Sequence, residues 1–289
     1  MNPPKVLLAV LAHPDDETFG TGGTLALYAR RGVDVYLVCA TRGEVGEADE
    51  QAMRSYTSIG AMREAELRCA AGILGLKRVF FLGYRDSGMP NTPPNAHPDA
   101  QINHPLDEVA GKVVGYIRSL KPEVVLTFDP IGGYHHPDHI HIQRATTLAF
   151  ENAGRVDFHP EAGAPFTPRA LYYHTMPHRA LRLAVFLLRL VGRDPQHFGR
   201  NGDIDLASIA AVNFPIHARI DIRPVLEIKD RASACHSSQG GGRMAGGLGG
   251  RVMRLFSSSE AYMQAYPQPQ RRARLRRDLF LEDRDRAEA

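Results

Sequence analysis

The chain has 289 residues, 43% hydrophobic and 23% charged. That composition is ordinary for a globular protein, and the length suits one large α/β domain or two small ones, with a sizeable core. Lys and Arg number 35 against 32 Asp and Glu, a net charge of +3, which excludes a broad electrostatic case for nucleic acid or a membrane as partner. Cys39, Cys69 and Cys235 are far apart, odd in number and form no CxxC pair, so a reduced, cytoplasmic protein without disulfides is expected. The apolar run after Lys5 is rejected as a secretory leader, because cleavage would fall in or after the polar cluster that follows it. No apolar stretch reaches the roughly 18 residues of a membrane span.

In chain order, Val6–Ala12 predicts a first strand and Thr21–Arg31 a helix closed by Gly32. Val33–Ala40 is a second strand. A helix over about Met53–Leu74 follows from apolar residues Ile59, Met62, Ala65, Cys69 and Ile73 at spacings of three and four. Val79–Leu82 is a third strand, and a Pro- and Asn-rich loop leads to a helix marked by Leu106, Val109, Val113 and Ile117. Val124–Phe128 is a fourth strand, and Ile140–Phe150 lies on a fourth helix. Apolar strands alternating with helices indicate a parallel sheet covered on both faces. The second half is less regular. Ala170–His174 reads as a strand, Leu181–Val191 as an apolar helix, Ile209–Ile220 as one or two strands and Ile222–His236 as a helix. Gly240–Gly250 holds seven glycines in eleven residues, a loop or chain of turns. A single domain over 1–289 is expected, with its core in 5–240, the glycine-rich loop at 240–250 and an arginine-rich tail at 271–289.

Each early strand is followed by a polar turn: His13–Glu17, Thr41–Glu44, Tyr84–Ser87 and Asp129–His139. In an open parallel sheet these ends share one edge, where ligands bind. His13 and Asp16 are three apart, as are His136 and His139. Two histidines and a carboxylate, with one position left to water, is the donor set of a catalytic zinc site. A spare carboxylate from the Asp15-Asp16 pair is available to take the water's proton, and a spare histidine to stabilise an oxyanion or protonate an amine. The chemistry indicated is amide or ester hydrolysis. An Fe(II) facial triad built on His13 and Asp15 is the rival, ranked lower because such triads generally sit on all-β barrels.

The segments AHPDDE at 12–17 and GGYHHPDH at 132–139 resemble the LmbE/PIG-L family of zinc-dependent de-N-acetylases. TRGE at 41–44, Arg63 with Glu66, RDSGM at 85–89 and the late Lys229, Ala232 and His236–Gln239 extend the likeness, strong over 5–150 and thinner to about 240. The resemblance implies a Rossmann-like, doubly wound α/β fold, mostly parallel, with helices on both faces and the active site at the C-terminal strand ends. It implies Zn2+ (Fe2+ as the alternative ion) held by His13, Asp16 and His139, with Asp15 as general base, His136 supporting the charged intermediate and Tyr134 polarising the carbonyl. Arg63, Asp86 and Glu44 are the implied substrate-binding residues. The implied substrate is a small amino-sugar conjugate carrying N-acetylglucosamine, with mycothiol-type precursors favoured. Cleavage of mycothiol S-conjugates is the alternative, and a non-catalytic sugar-binding protein or an arginine-tailed nucleic-acid binder the competing class.

Glu17 is expected to support a ligand from behind, and His236 is a candidate for the pocket rim. For Leu181–Val191, packing on the core ranks first, a contact in a homo-oligomer second and lipid third. The arginines from Arg271 to Arg277 are followed by acidic residues, which favours a solvated helix.

Overall fold

The structure, a computed structural model, describes residues 4–48, 50–176, 178–197, 202, 204–241, 258–270 and 274–281. The described strands are β1 (Val6–Leu11), β2 (Asp34–Cys39), β3 (Arg78–Phe81), β4 (Val124–Phe128), β5 (Ala170–Thr175), β6 (Ala218–Asp221) and β7 (Ser259–Tyr266). The helices are α1 (Asp16–Phe19), α2 (Gly22–Arg30), α3 (Glu50–Met53), α4 (Ile59–Leu74), α5 (Leu106–Leu120), α6 (Gly132–His135), α7 (Pro137–Asn152), α8 (His178–Leu190), α9 (Leu206–Ala211) and α10 (Leu226–Cys235).

The strands form one sheet in the order β3-β2-β1-β4-β5-β7-β6. The first five pair in parallel, and β7 is antiparallel to both β5 and β6. The fold class expected from the sequence is therefore present: doubly wound and mostly parallel. From β1 the chain winds outward to β2 and β3, then returns past β1 to β4 and β5. Right-handed crossovers in opposite directions put their helices on opposite faces, so α2 and α4 lie on one face and α5 and α7 on the other. The reversal falls between β1 and β4, which are neighbours. This is the crevice where open α/β sheets bind ligands, and the polar turns after β1 and β4 are the two that border it.

Residues Leu7 to Leu11 of β1 are buried, as is all of β4, which is why both read as continuous apolar runs rather than alternating ones. On α5, Val109, Val113 and Ile117 are fully buried at a spacing of four.

Several expectations are corrected. The predicted helix over 53–74 is two pieces. Ser58 takes an extended backbone, and its hydroxyl accepts from the Ala61 N–H at 3.1 Å, so α4 starts there. Within 209–220, residues up to Ala211 belong to α9, capped by Asp205, and only β6 is strand. Strand β7 was not anticipated; it inserts between β5 and β6, so the core extends beyond residue 240. In the tail, residues 274–281 are not a helix: Arg276 bridges to Ala218, and Leu279 and Phe280 are buried. Residues 242–250 of the glycine-rich loop lie outside the described residues, as do 271–273 and 282–289 of the tail.

The cysteines are corrected as well. Cys69 on α4 and Cys235 on α10 form a disulfide with Cα atoms 5.9 Å apart, while Cys39 is free and buried. A pairing across 166 residues leaves no trace in local spacing. The apolar helix at 181–191 does not pack on the core. It rests on α9, with Val185 buried and Leu183, Phe186, Leu187 and Leu190 more than half exposed. Among the described residues no helix is long and apolar enough to cross a membrane.

Candidate active site

The turn after β1 has an unusual backbone. Asp15 has φ 126°, a conformation that L side chains rarely adopt. Such a residue costs roughly 1–3 kcal/mol and persists only where its surroundings hold it. Here they do. The Asp15 N–H donates to Glu17 Oε2 at 2.9 Å. Arg63 Nη2 donates to Asp15 Oδ2 at 3.0 Å and to the Pro14 carbonyl at 2.8 Å. Hydrogen bonds to charged groups are worth about 1.5–3 kcal/mol each, so the three together outweigh the strain. The Asp15 carbonyl accepts from the Thr18 and Phe19 amides, and α1 begins. The Asp16 carboxylate folds back to accept from the His13 N–H at 2.7 Å.

The turn after β4 is shaped by Asp129, whose Oδ1 accepts from the amides of Ile131 and Gly133. Gly132 has φ 62°, and a Cβ there would meet His139 Cβ at 2.7 Å, so only glycine fits. His136 caps α7, its Nδ1 accepting from the Asp138 N–H at 3.2 Å. That contact leaves Nε2 as the protonated nitrogen of His136. His139 sits in the first turn of α7, stacked on Phe128 with centroids 3.9 Å apart.

Three donor groups from the two turns converge. His13 Nδ1 is 3.1 Å from His139 Nε2, His139 Nε2 is 3.4 Å from Asp16 Oδ1, and His13 Nδ1 is 3.7 Å from Asp16 Oδ2. The far side of each imidazole is already engaged. His13 Nε2 donates to Asp138 Oδ2 at 3.2 Å, and His139 Nδ1 donates to the Gly132 carbonyl at 3.1 Å. With both imidazoles neutral, two nitrogen lone pairs face each other across 3.1 Å with a carboxylate beside them, an arrangement that a metal cation between them would satisfy. Tetrahedral zinc with bonds of 2.0–2.1 Å sets its donors about 3.3–3.4 Å apart. The donor set fits. Outer nitrogens bound to a carboxylate or a carbonyl are what metal-ligating histidines characteristically show.

Two groupings, neither with Asp16, bring single donor atoms within 4.8 Å of one another: His13, His136 and His139, and His13 with Asp86, His136 and Asp138. The second is less suited to an ion. Asp138 is fully buried and already accepts from both the N–H and the hydroxyl of Ser87, besides His13.

The electrostatics follow from burial. It pushes Asp16 up to about 7, brings His136 down to about 3 and drives His139 lower than an ordinary histidine. His13 goes the other way: burial alone would lower it, but Asp86 and Asp138 outweigh burial and raise it, so a metal, which takes the neutral imidazole, would displace its proton. Burial also raises Asp15, against the opposing charge of Arg63. The Tyr134 phenol is pushed well above its usual range by burial and stays protonated. Its ring lies 5.0 Å from His139 and 5.8 Å from His136 between centroids.

The candidate substrate residues take different positions. Arg63 is buried, its Nη1 and Nη2 donating to the Gly43 and Pro14 carbonyls and to Asp15 while its Nε finds no partner among the described residues, so it positions the β1 turn. Asp86 Oδ1 accepts from the Gly88 amide and lies 3.4 Å from His13 Nε2. Burial alone would raise Asp86, but His13 outweighs it and holds the carboxyl far below the usual range. Glu44 Oε2 accepts from the Asp86 amide at 3.1 Å. His236 is not at a rim. It is fully buried, with Nε2 2.7 Å from Glu17 Oε1, so the expected support from Glu17 goes to the Asp15 backbone.

Sequence reasoning missed Asp138 and Ser87. The signal was present: Asp138 lies between two candidate histidines, and a buried ligand needs a partner for its other nitrogen. It also missed the back wall. Glu66 accepts from Ser237 and Ser238, and Glu260 accepts from the amides of Gly23 and Thr24 and from Lys229.

The profile of the PIG-L family, described as GlcNAc-PI de-N-acetylase, matches residues 8–150. A 1D-myo-inositol 2-acetamido-2-deoxy-alpha-D-glucopyranoside deacetylase of Rhodococcus erythropolis is 38% identical over 244 residues, covering 81% of each chain. Among solved structures, the N,N'-diacetylchitobiose deacetylase of Pyrococcus horikoshii aligns with a TM-score of 0.62 at 21% identity, over 90% of this chain and 83% of that one. A 4-carboxy-2-hydroxymuconate hydratase of Pseudomonas putida aligns with a TM-score of 0.58 at 21% identity, over 93% of this chain and 100% of that one. A deacetylase and a hydratase on one fold mean that the architecture alone does not choose the reaction.

Proposed function

The chain belongs to the PIG-L family, and we propose that within it the substrate is N-acetylglucosamine joined to inositol, with His13, Asp16 and His139 holding a zinc ion. The protein is a hydrolase that removes an acetyl group from an N-acetylglucosamine-containing molecule. The observation that carries the metal assignment is the meeting of two imidazole lone pairs and a carboxylate, each imidazole anchored from behind. The inositol aglycone is supported by the Rhodococcus relative, alike over four-fifths of both chains.

When bound, the zinc would supply Lewis acidity and lower the pKa of a water from 15.7 to about 7. The rest falls to the chain's own groups. Asp15 takes a proton from the attacking water. Burial raises this carboxyl while Arg63 restrains it, which favours a base that both accepts and returns a proton. The water oxygen adds to the acetyl carbonyl, and the Nε2–H of His136 and the Tyr134 hydroxyl donate to the oxyanion as charge develops. The C–N bond then breaks, the proton held by Asp15 passes to the leaving amine, and acetate and a free amino sugar result. Asp86 and Glu44 border the sugar, and Arg63 fixes Asp15 rather than contacting hydroxyls.

The test is a panel of N-acetylglucosamine conjugates with inositol, a second sugar or an alkyl group as aglycone, scored for released amine with and without a chelator. The expected result is the highest kcat/KM on the inositol conjugate, abolition by the chelator and recovery with added zinc. Preference for another aglycone would overturn the substrate, and chelator-resistant turnover would overturn the metal.

A further inference from the structure

Helix α8 has no place in the chemistry above, and its surface is unlike the rest of the molecule. Leu183, Phe186, Leu187 and Leu190 repeat at three- and four-residue spacings and are 58, 57, 51 and 66% exposed; Val191, just past the helix, is 72% exposed. Isolated exposed apolar residues are unremarkable, but a contiguous stripe marks a contact surface.

Charge decides what that surface fits. From residue 162 to residue 193 the chain contains no Asp or Glu, while Arg182, Arg189 and Arg193 lie on or beside the helix. The next acidic residue, Asp194, lies beside Arg189 and Arg193 and is 2.8 Å from His197 Nδ1, so it offsets one of the three charges. A second copy of the same face would bring three arginines against three with only Asp194 on each side to offset them, a net repulsion. A bilayer with anionic headgroups satisfies both halves of the pattern, taking the apolar stripe into the headgroup boundary and supplying counter-charge to the arginines.

The position of α8 is consistent with a working role. It follows the C-terminal end of β5, the edge on which the catalytic turns lie. It packs on α9, which in turn packs on α6, the helix that carries Tyr134. We propose that α8 is a peripheral membrane anchor that docks the protein on an anionic lipid surface, with the site-bearing edge of the sheet toward the bilayer.

The experiment is co-sedimentation of the full chain with vesicles of phosphatidylcholine alone or mixed with phosphatidylglycerol. Binding is expected to the mixed vesicles, weak on phosphatidylcholine and weakened by salt. Phe186→Asp and, as a second variant, Leu190→Ser should each lower partitioning several-fold. Arg189→Ala and Arg193→Ala should each lower it about fivefold. All four should retain turnover of a soluble substrate, which shows that they are folded. Absence of binding to the anionic vesicles, or binding unchanged in Phe186→Asp and Leu190→Ser, would overturn the proposal. So would a wild-type dimer in light scattering that Phe186→Asp splits, which would assign the face to a second copy.

Discussion

The two halves of the chain divide the work. The residues assigned to metal and to proton transfer all lie before residue 140, in turns after β1 and β4. Behind the β1 turn, part of the brace lies after residue 220: His236 holds Glu17, Lys229 and Glu260 hold α1 and α2, and Ser237 and Ser238 hold Glu66 on α4. The first set is concentrated because parallel strands deliver their C-terminal ends to one edge. The second is scattered because a strained turn needs partners wherever packing brings them. A motif can therefore be intact while its working geometry depends on residues far from it in the chain, and in the case of Glu260 on one outside every motif quoted above.

The sharpest way to break this division is Asp15→Ala. If the first half holds the base, kcat should fall about 10²–10⁴-fold, while elemental analysis finds the metal content of the wild type. Turnover near the wild-type rate would move the base elsewhere.

Next is Asp138→Asn, which keeps size and burial but weakens the acceptor for His13 Nε2. Zinc affinity should drop about 10–100-fold, as measured by competition with a chromogenic chelator. Unchanged affinity would mean that His13 is oriented by something other than Asp138.

His236→Gln tests the second half directly. Loosening Glu17 should release the Asp15 backbone and lower kcat by about tenfold, equivalent to roughly 1.4 kcal/mol, with zinc still bound. The variant also has a pH signature. Burial alone would lower the pKa of His236, but its hydrogen bond to Glu17 outweighs burial and raises it. A raised histidine stabilises the fold fully below its unfolded pKa of about 6.5, and that stability is lost as pH rises through the folded value. The gap in Tm between wild type and variant should therefore be widest in mild acid and narrow toward alkaline pH. A gap that widens with pH would contradict a protonated His236.

The smallest effect on catalysis should come from Cys69→Ser. Losing the link between α4 and α10 should lower stability by about 2–4 kcal/mol in denaturant melts and leave kcat unchanged. A large loss of kcat would place the disulfide within the brace that sets the turn.

The parallel half was legible because its signals are local. Val6–Leu11 and Val124–Phe128 are unbroken apolar runs, and His13, Asp16, His136 and His139 stand at turn positions where spacing carries meaning. Other features depended on contacts that local sequence does not encode. Asp138 reads as filler in a histidine cluster until α7 turns it inward to His13 and Ser87. Arg63 reads as a substrate residue until its guanidinium is placed against Pro14 and Asp15. Strand β7 alternates weakly, and only its position between β5 and β6 makes Glu260 an internal acceptor. The stripe on α8 was visible as a pattern, but a pattern does not state what it faces.

The carboxylate of Glu260 accepts from the amides that open α2, next to the turn bearing Asp15, yet it arrives from the last described strand. On a translating ribosome, 121 residues separate His139 from Glu260, an interval of about 6–24 s at 5–20 residues per second. Throughout that interval the nascent chain has His13, Asp16 and His139 synthesised but lacks the group that closes the start of α2. Completion of the turn that bears Asp15 therefore waits on a strand made well after both of the turns that flank the site.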